Sequence, residues 1–129
     1  MILVDTSVWM EFFKGKEPVF SILKAHIEKQ DVHAAECIFG ELLQGALNKK
    51  ERGILSEYWH SLPKLDETNI FIEAGLSSSL NKLTSKGVGL IDSVIMQLAR
   101  RNDLKIWTLD KKLRGVLKSS EIYTIKLKE

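Results

Sequence analysis

Four carboxylates stand where this sequence passes from apolar to polar: Asp5 closing "ILVD", Glu41 inside "CIFGELLQGA", Asp92 in "GLIDSV" and Asp110 closing "IWTLD". Hydroxyls flank two of them, Thr6 and Ser7 after Asp5 and Thr108 before Asp110. Each acid has an ordinary use. Asp5 and Asp110 could cap the helices that follow them, Asp92 could complement a helix dipole, and Glu41 could be solvated on a helix surface. Gathered in one place they would do something else. A like charge nearby disfavours the ionised form, so four carboxylates in one pocket persist only with cations between them. Oxygen ligands without His or Cys favour hard ions, magnesium or manganese. Two such ions ~3.5–4 Å apart stabilise both the attacking and the leaving oxygen in phosphodiester cleavage. The chemistry to look for is metal-dependent phosphoryl-group chemistry, with hydrolysis of nucleic acid the leading case.

The elements that would have to gather these acids are legible as short strands alternating with helices. "MILVD" reads as a buried strand, and "TSVWMEFFKG" as a helix capped by Thr6 or Ser7 and stopped at Gly15. Pro18 suits the first turn of the helix "EPVFSILKAHIEKQ". "DVHAA" is a weak strand, "ECIFGELLQGALNKK" a helix with Ile38, Leu42 and Leu43 on one side, and "ERGILSEYWHSL" a helix ended before Pro63. "PKLD" is a brief strand candidate. Thr68 then caps a long helix, "NIFIEAGLSSSLNKLTSKG", which Gly87 closes. "IDSVIMQLARRND" is a helix with Ile91, Val94, Ile95, Leu98 and Ala99 inward, "LKIWTLD" a strand, and "KKLRGVLKSS" a short helix. "EIYTIKL" is a final alternating strand. This order predicts an α/β fold, one domain over residues 1–129, with a mainly parallel central sheet flanked by helices. In such sheets, sites form at the C-terminal ends of the strands, where Asp5 and Asp110 fall.

The remaining composition narrows the field. At 129 residues, 44% apolar and 28% charged, the chain can bury a core of its own. No apolar run approaches the ~20 residues of a membrane span, and Met1 leads into a strand-like run without a basic leader. The expectation is a cytoplasmic protein with no membrane partner. Cys37 is the one cysteine and sits in an apolar stretch, as a small core residue would. His26, His33 and His60 make no spaced pair with one another or with Cys37, which speaks against a nitrogen- or sulfur-ligated metal. Trp9 could stack on a base but has Phe12 and Phe13 at i+3 and i+4, where packing is favoured. Glu36 precedes Glu41 by five residues, about 140° around a helix, and reads as a helix-start acid instead of a ligand.

In the order "ILVDTSVW", "FGELLQGA", "GLIDSVIMQLA" and "IWTLDKKL", and over essentially its whole length, the chain resembles the PIN-domain family and, within it, the VapC-type toxins of toxin–antitoxin pairs. The resemblance implies an endoribonuclease, a hydrolase dependent on Mg2+ or Mn2+. Carried over by motif, Asp5, Glu41, Asp92 and Asp110 match the catalytic acids. On that resemblance Asp5 and Asp92 would be the core metal ligands, Asp110 would complete the metal site directly or through water, and Glu41 would hold a second metal or orient the attacking water. Ser7 and Thr108 match hydroxyl positions that support the metal shell. Many relatives carry a further acid after the last one; here Lys111 and Lys112 follow Asp110, which bears on a second metal. The resemblance also implies an RNA substrate, a cognate VapB-type antitoxin whose C-terminal segment blocks the acidic pocket, and a homodimer.

An acidic pocket repels a polyanion unless a basic rim offsets it. Lys111, Lys112 and Arg114, next to Asp110, are the substrate-binding candidates; Lys49, Lys50, Arg52, Arg100 and Arg101 lie further off in sequence. All could equally be solvated surface charges. The net charge of +2 neither demands nor excludes nucleic acid. Two other readings keep the fold. One is a housekeeping PIN nuclease of RNA processing. The other is a non-catalytic α/β binding module whose acids are caps; a receiver-like pocket would need a late strand-end Lys where Thr108, Leu109 and Asp110 stand.

Overall fold

The computed structural model describes residues 1–125. The chain runs β1 (Ile2–Val4), α1 (Thr6–Phe13), α2 (Val19–Glu28), β2 (Val32–His33), α3 (Glu36–Gln44), α4 (Lys49–Ser61), α5 (Ile70–Leu80), α6 (Leu90–Asn102), β3 (Lys105–Trp107) and α7 (Lys111–Val116). The strands form one parallel sheet in the order β2-β1-β3. Leu3 stands beside His33 on one side and Ile106 on the other. Single parallel bridges, Ala34 with Lys64 and Ile106 with Ile122, bring further chain against each edge. The α/β fold with a parallel sheet and flanking helices is the one the sequence predicts.

The central strand is buried along its whole length. Ile2, Leu3 and Val4 lie in the core, as expected of a strand covered on both faces. Trp9 is fully buried, with Phe12, Phe13, Phe39 and Tyr58 around it at centroid distances of 5.4–5.9 Å. That settles Trp9 as a packing residue. Each aliphatic or aromatic chain so enclosed contributes ~1.5–3 kcal/mol, and the cluster fixes α1 against α3 and α4.

Several boundaries differ from the sequence expectation, each for a local reason. Asp5, not Thr6 or Ser7, is the N-cap of α1. Helix α3 stops at Gln44, and Asn48 starts α4 anew by accepting the Glu51 N–H, so "NKK" belongs to the next element. Thr68 does not cap α5. It turns back on Asp66, donating N–H and hydroxyl to the same carboxylate oxygen, and Asn69 in the left-handed region opens the helix. The long helix expected up to Gly87 ends at Leu80, where Lys82 takes a positive φ of 53°; a short 3-10 turn, Thr84–Lys86, fills the gap. Gly87, at φ 79°, closes that turn. Ile91 is half-buried instead of inward. "PKLD" contributes only the Lys64 bridge, and "EIYTIKL" only the Ile122 bridge; Lys126 and Leu127 of that expected strand lie outside the described residues.

Candidate functional site

Parallel strands deliver their C-terminal ends to one edge. The chain leaves β1 at Asp5 and β3 at Thr108, and the Asp5 N–H still donates to the Trp107 carbonyl at 2.9 Å. The sheet ladder therefore extends to the acid itself, fixing its backbone. Asp5 is only 5% exposed. Its Oδ1 accepts the Thr6 N–H at 2.7 Å. Its Oδ2 accepts the Ser7 hydroxyl at 2.8 Å and the Thr108 hydroxyl at 2.7 Å. A carboxylate offers about four lone-pair directions; three are taken, and the open one is on Oδ1.

The hydroxyls that hold Asp5 are themselves held. Ser7 Oγ accepts the Leu109 N–H at 3.0 Å, and Thr108 Oγ1 accepts the Asp110 N–H at 3.0 Å. Thr108, fully buried, thus ties Asp5 to the backbone of Asp110. Asp110 caps α7, its Oδ1 accepting the N–H groups of Lys112 at 2.8 Å and Leu113 at 3.3 Å, while no donor among the described residues reaches Oδ2. Glu41 reaches the group from α3: its Oε1 accepts the Thr6 hydroxyl at 2.9 Å.

Asp92 differs. It lies in the first turn of α6, whose N-cap is Gly89 with no side-chain cap. Among the described residues no donor reaches its carboxylate. Burial, then the charges of Asp5, Asp110 and Glu41, push its pKa up to about 6. The three neighbouring charges come from the end of β1, from α3 and from the β3–α7 junction, so Asp92 on α6 shares their electrostatic field. The described residues hold four salt bridges, and none includes any of the four acids.

The remaining expected residues fall around the same edge. Arg114 Nη1 donates to the Thr108 carbonyl at 3.4 Å. The Lys112 stem crosses the turn before α6, so that a Cβ on Gly87 would stand 3.0 Å from Lys112 Cδ. Lys111 is exposed beside Asp110. Arg101, by contrast, is spent on structure, donating to the Asp66 and Thr68 carbonyls and the Glu73 carboxylate, and Arg100 pairs with Glu121. Cys37 is no nucleophile: burial, with Glu67 and Glu41 nearby, pushes its thiol up to about 12. Thr6 is the residue the sequence reading passed over, taken there as a cap although it directly follows Asp5. Among the described residues no three carboxylates, imidazoles or thiols converge closely enough to chelate a metal ion as they stand.

The family model for the PIN domain matches residues 2–118. The chain belongs to the PIN-domain family. It is 27% identical over 112 residues to the VapC ribonuclease Mb1587 of Mycobacterium bovis and to ribonuclease VapC11 of Mycobacterium tuberculosis, covering 82% of this chain and 84% of each relative. Among solved structures, a toxin–antitoxin complex from Klebsiella pneumoniae superposes with a TM-score of 0.71 at 16% identity, over 96% of this chain and 97% of that one. FitAcB from Neisseria gonorrhoeae gives 0.61 at 22% identity, over 95% and 94%. These PIN relatives include the VapC-type proteins that the four sequence stretches suggested.

Proposed function

We propose that this PIN domain is a metal-dependent endoribonuclease and the toxin of a toxin–antitoxin pair. The observation that carries the reading is the hydrogen-bonded link of Asp5 to Glu41 through Thr6 and to Asp110 through Thr108 at one sheet edge, with Asp92 near enough to feel their charge and no cationic side chain among the described residues paired to any of the four. Four acids kept so are poised for cations, and an all-oxygen set suits Mg2+ or Mn2+. Asp5, Asp92 and Asp110 would hold the ion. When bound, the ion supplies Lewis-acid activation of water and neutralises charge at the phosphoryl oxygens.

The chain's own residues prepare that chemistry. Ser7 and Thr108 fix the Asp5 carboxylate in one orientation, so that little reorganisation remains at the moment of reaction. Glu41, held at Oε1 by Thr6, would orient a water. Lys111, Lys112 and Arg114 give the RNA backbone a basic approach beside Asp110. The VapC relatives support RNA as substrate, and the toxin–antitoxin structural neighbours support a VapB-type antitoxin as partner. A homodimer is also expected. Helix α5 leaves Ile72, Leu76 and Leu80, spaced four residues apart, 63–76% exposed, an apolar stripe that a second copy can cover. No helix among the described residues is long and apolar enough to cross a membrane.

The test is RNA cleavage by the purified chain, freed of any co-purified partner, in Mg2+ or Mn2+ against EDTA, with Asp92→Asn alongside. Metal-dependent cuts that vanish in the variant support the reading. Identical behaviour of wild type and variant on single-stranded, transfer and ribosomal RNA would end it.

A further inference from the structure

Thr6 is not among the metal ligands proposed above, yet its hydrogen bonds reach the carboxylates of two of the acids at once. Its N–H donates to Asp5 Oδ1 at 2.7 Å and its hydroxyl to Glu41 Oε1 at 2.9 Å. We propose that Thr6 is a positioning residue of the cation site, the bridge that keeps Glu41 beside Asp5. The inference rests on the metal-nuclease reading.

Glu41 has reason to leave. It is exposed, on the surface of α3, and a glutamate loses much rotamer freedom when fixed. Its negative charge lies within the field of Asp92, and like charges repel. Among the described residues the Thr6 hydroxyl is the one donor that reaches its carboxylate, and a hydrogen bond to an ionised acceptor is a strong one. Thr6 suits the task because it opens α1, where Asp5 fixes its backbone, and because a β-branched side chain has few rotamers. Ser7 cannot substitute, since its hydroxyl is committed to Asp5 Oδ2. Thr6 also meets Asp5 on its less occupied oxygen: among the described residues Oδ2 accepts from Ser7 and Thr108, and Oδ1 from Thr6 alone.

The experiment is a Mn2+ titration of the full chain, by calorimetry, on wild type, Thr6→Val, Thr6→Ala, Thr6→Ser, Glu41→Gln and Thr6→Val/Glu41→Gln, with Asp92→Asn as control. Loss of the bridge should weaken Mn2+ binding ~10-fold or more, the usual scale for an outer-shell partner. Thr6→Ser should restore wild-type binding, because it keeps the hydroxyl. On the Glu41→Gln background Thr6→Val should add nothing, since the two act as one unit. Thr6→Ala, which also lacks the hydroxyl, must match Thr6→Val, and thermal melting of each variant separates a folding defect from a binding one. Wild-type binding in folded Thr6→Val or Thr6→Ala, multiplying effects in the double variant, or a Thr6→Ser as weak as Thr6→Val each overturn the bridge while leaving the metal reading intact. No Mn2+ binding by wild type, or undiminished binding by Asp92→Asn, overturns both.

Discussion

Asp5 and Asp92 occupy the same electrostatic field but opposite conditions. Asp5 is buried, its carboxylate accepts three hydrogen bonds, and two of its donors are anchored in turn to the backbone after β3. Asp92 is half-buried, accepts nothing among the described residues, and is pushed up to about 6 by burial and its acidic neighbours. One acid is integrated into the fold and the other is strained by it. The difference shows that like charges at a site need not all be tolerated in the same way. A carboxylate that anchors the backbone is compensated by its donors, whereas one without donors carries its burial and its neighbours' charge uncompensated.

The comparison breaks most visibly in activity, where both acids should behave alike. Asp5→Asn and Asp92→Asn are each expected to lower RNA cleavage at least ~100-fold, beyond what loss of an outer-shell partner costs. A rate assay at saturating Mn2+ checks this. An Asp92→Asn enzyme near wild-type rate would reduce Asp92 to a helix-dipole acid.

In stability the two should diverge. Asparagine at position 5 has one acceptor oxygen, so in either orientation its NH2 faces a donor that loses its acceptor, the Thr6 N–H or the Ser7 and Thr108 hydroxyls. An unsatisfied buried polar group costs ~1–3 kcal/mol, so Asp5→Asn should melt below wild type in EDTA. Like-charge relief considered alone predicts a rise instead, and a rise would show that repulsion outweighs the hydrogen bonds. Asp92→Asn should melt above wild type in EDTA, and the gap should depend on pH. Asp92 is held above its ordinary carboxylate value, so the folded chain binds that proton more tightly than the unfolded one. Below the unfolded value both forms are neutral and the variant gains nothing. As pH rises toward and past about 6 the wild type acquires the unfavourable charge, and the advantage of Asp92→Asn should grow and then level off. Saturating Mn2+ should reverse its sign, because only wild type keeps the full ligand set.

The sheet edge and its acids were legible because strand ends announce themselves: "ILVD" and "IWTLD" each run apolar into a carboxylate, and parallel strands carry both to one side. The α/β order followed from the alternation of short apolar runs with amphipathic ones. What was hidden was mostly decided by single side chains competing for backbone groups. Thr68 carries a good capping residue's chemistry, but Asp66 two residues earlier captures it. Positions 69–87 read as one helix because nothing in the letters announces that Lys82 adopts a positive φ. The bond from Thr6 to Glu41 spans 35 residues, and no local pattern encodes a contact of that range. Nor does sequence tell Asp5 from Asp92: both are acids beside apolar residues, and only the donors around each separate them.

Asp110 sharpens the contrast, because its structural work and its charge can be separated. Its Oδ1 caps α7 through Lys112 and Leu113, and asparagine caps a helix about as well as aspartate. Asp110→Asn should therefore leave the melting temperature nearly unchanged, whereas Asp110→Ala should lose ~1 kcal/mol with the cap. Cleavage should fall in both. If Asp110→Asn keeps full activity, the acid is a cap alone, and the cation site must close on Asp5, Asp92 and Glu41. If Asp110→Asn is as stable as wild type but inactive, the negative charge of the carboxylate is what the site requires. The three aspartates then form a series, from an acid the fold needs, through one it tolerates as a cap, to one it bears only for its ligand.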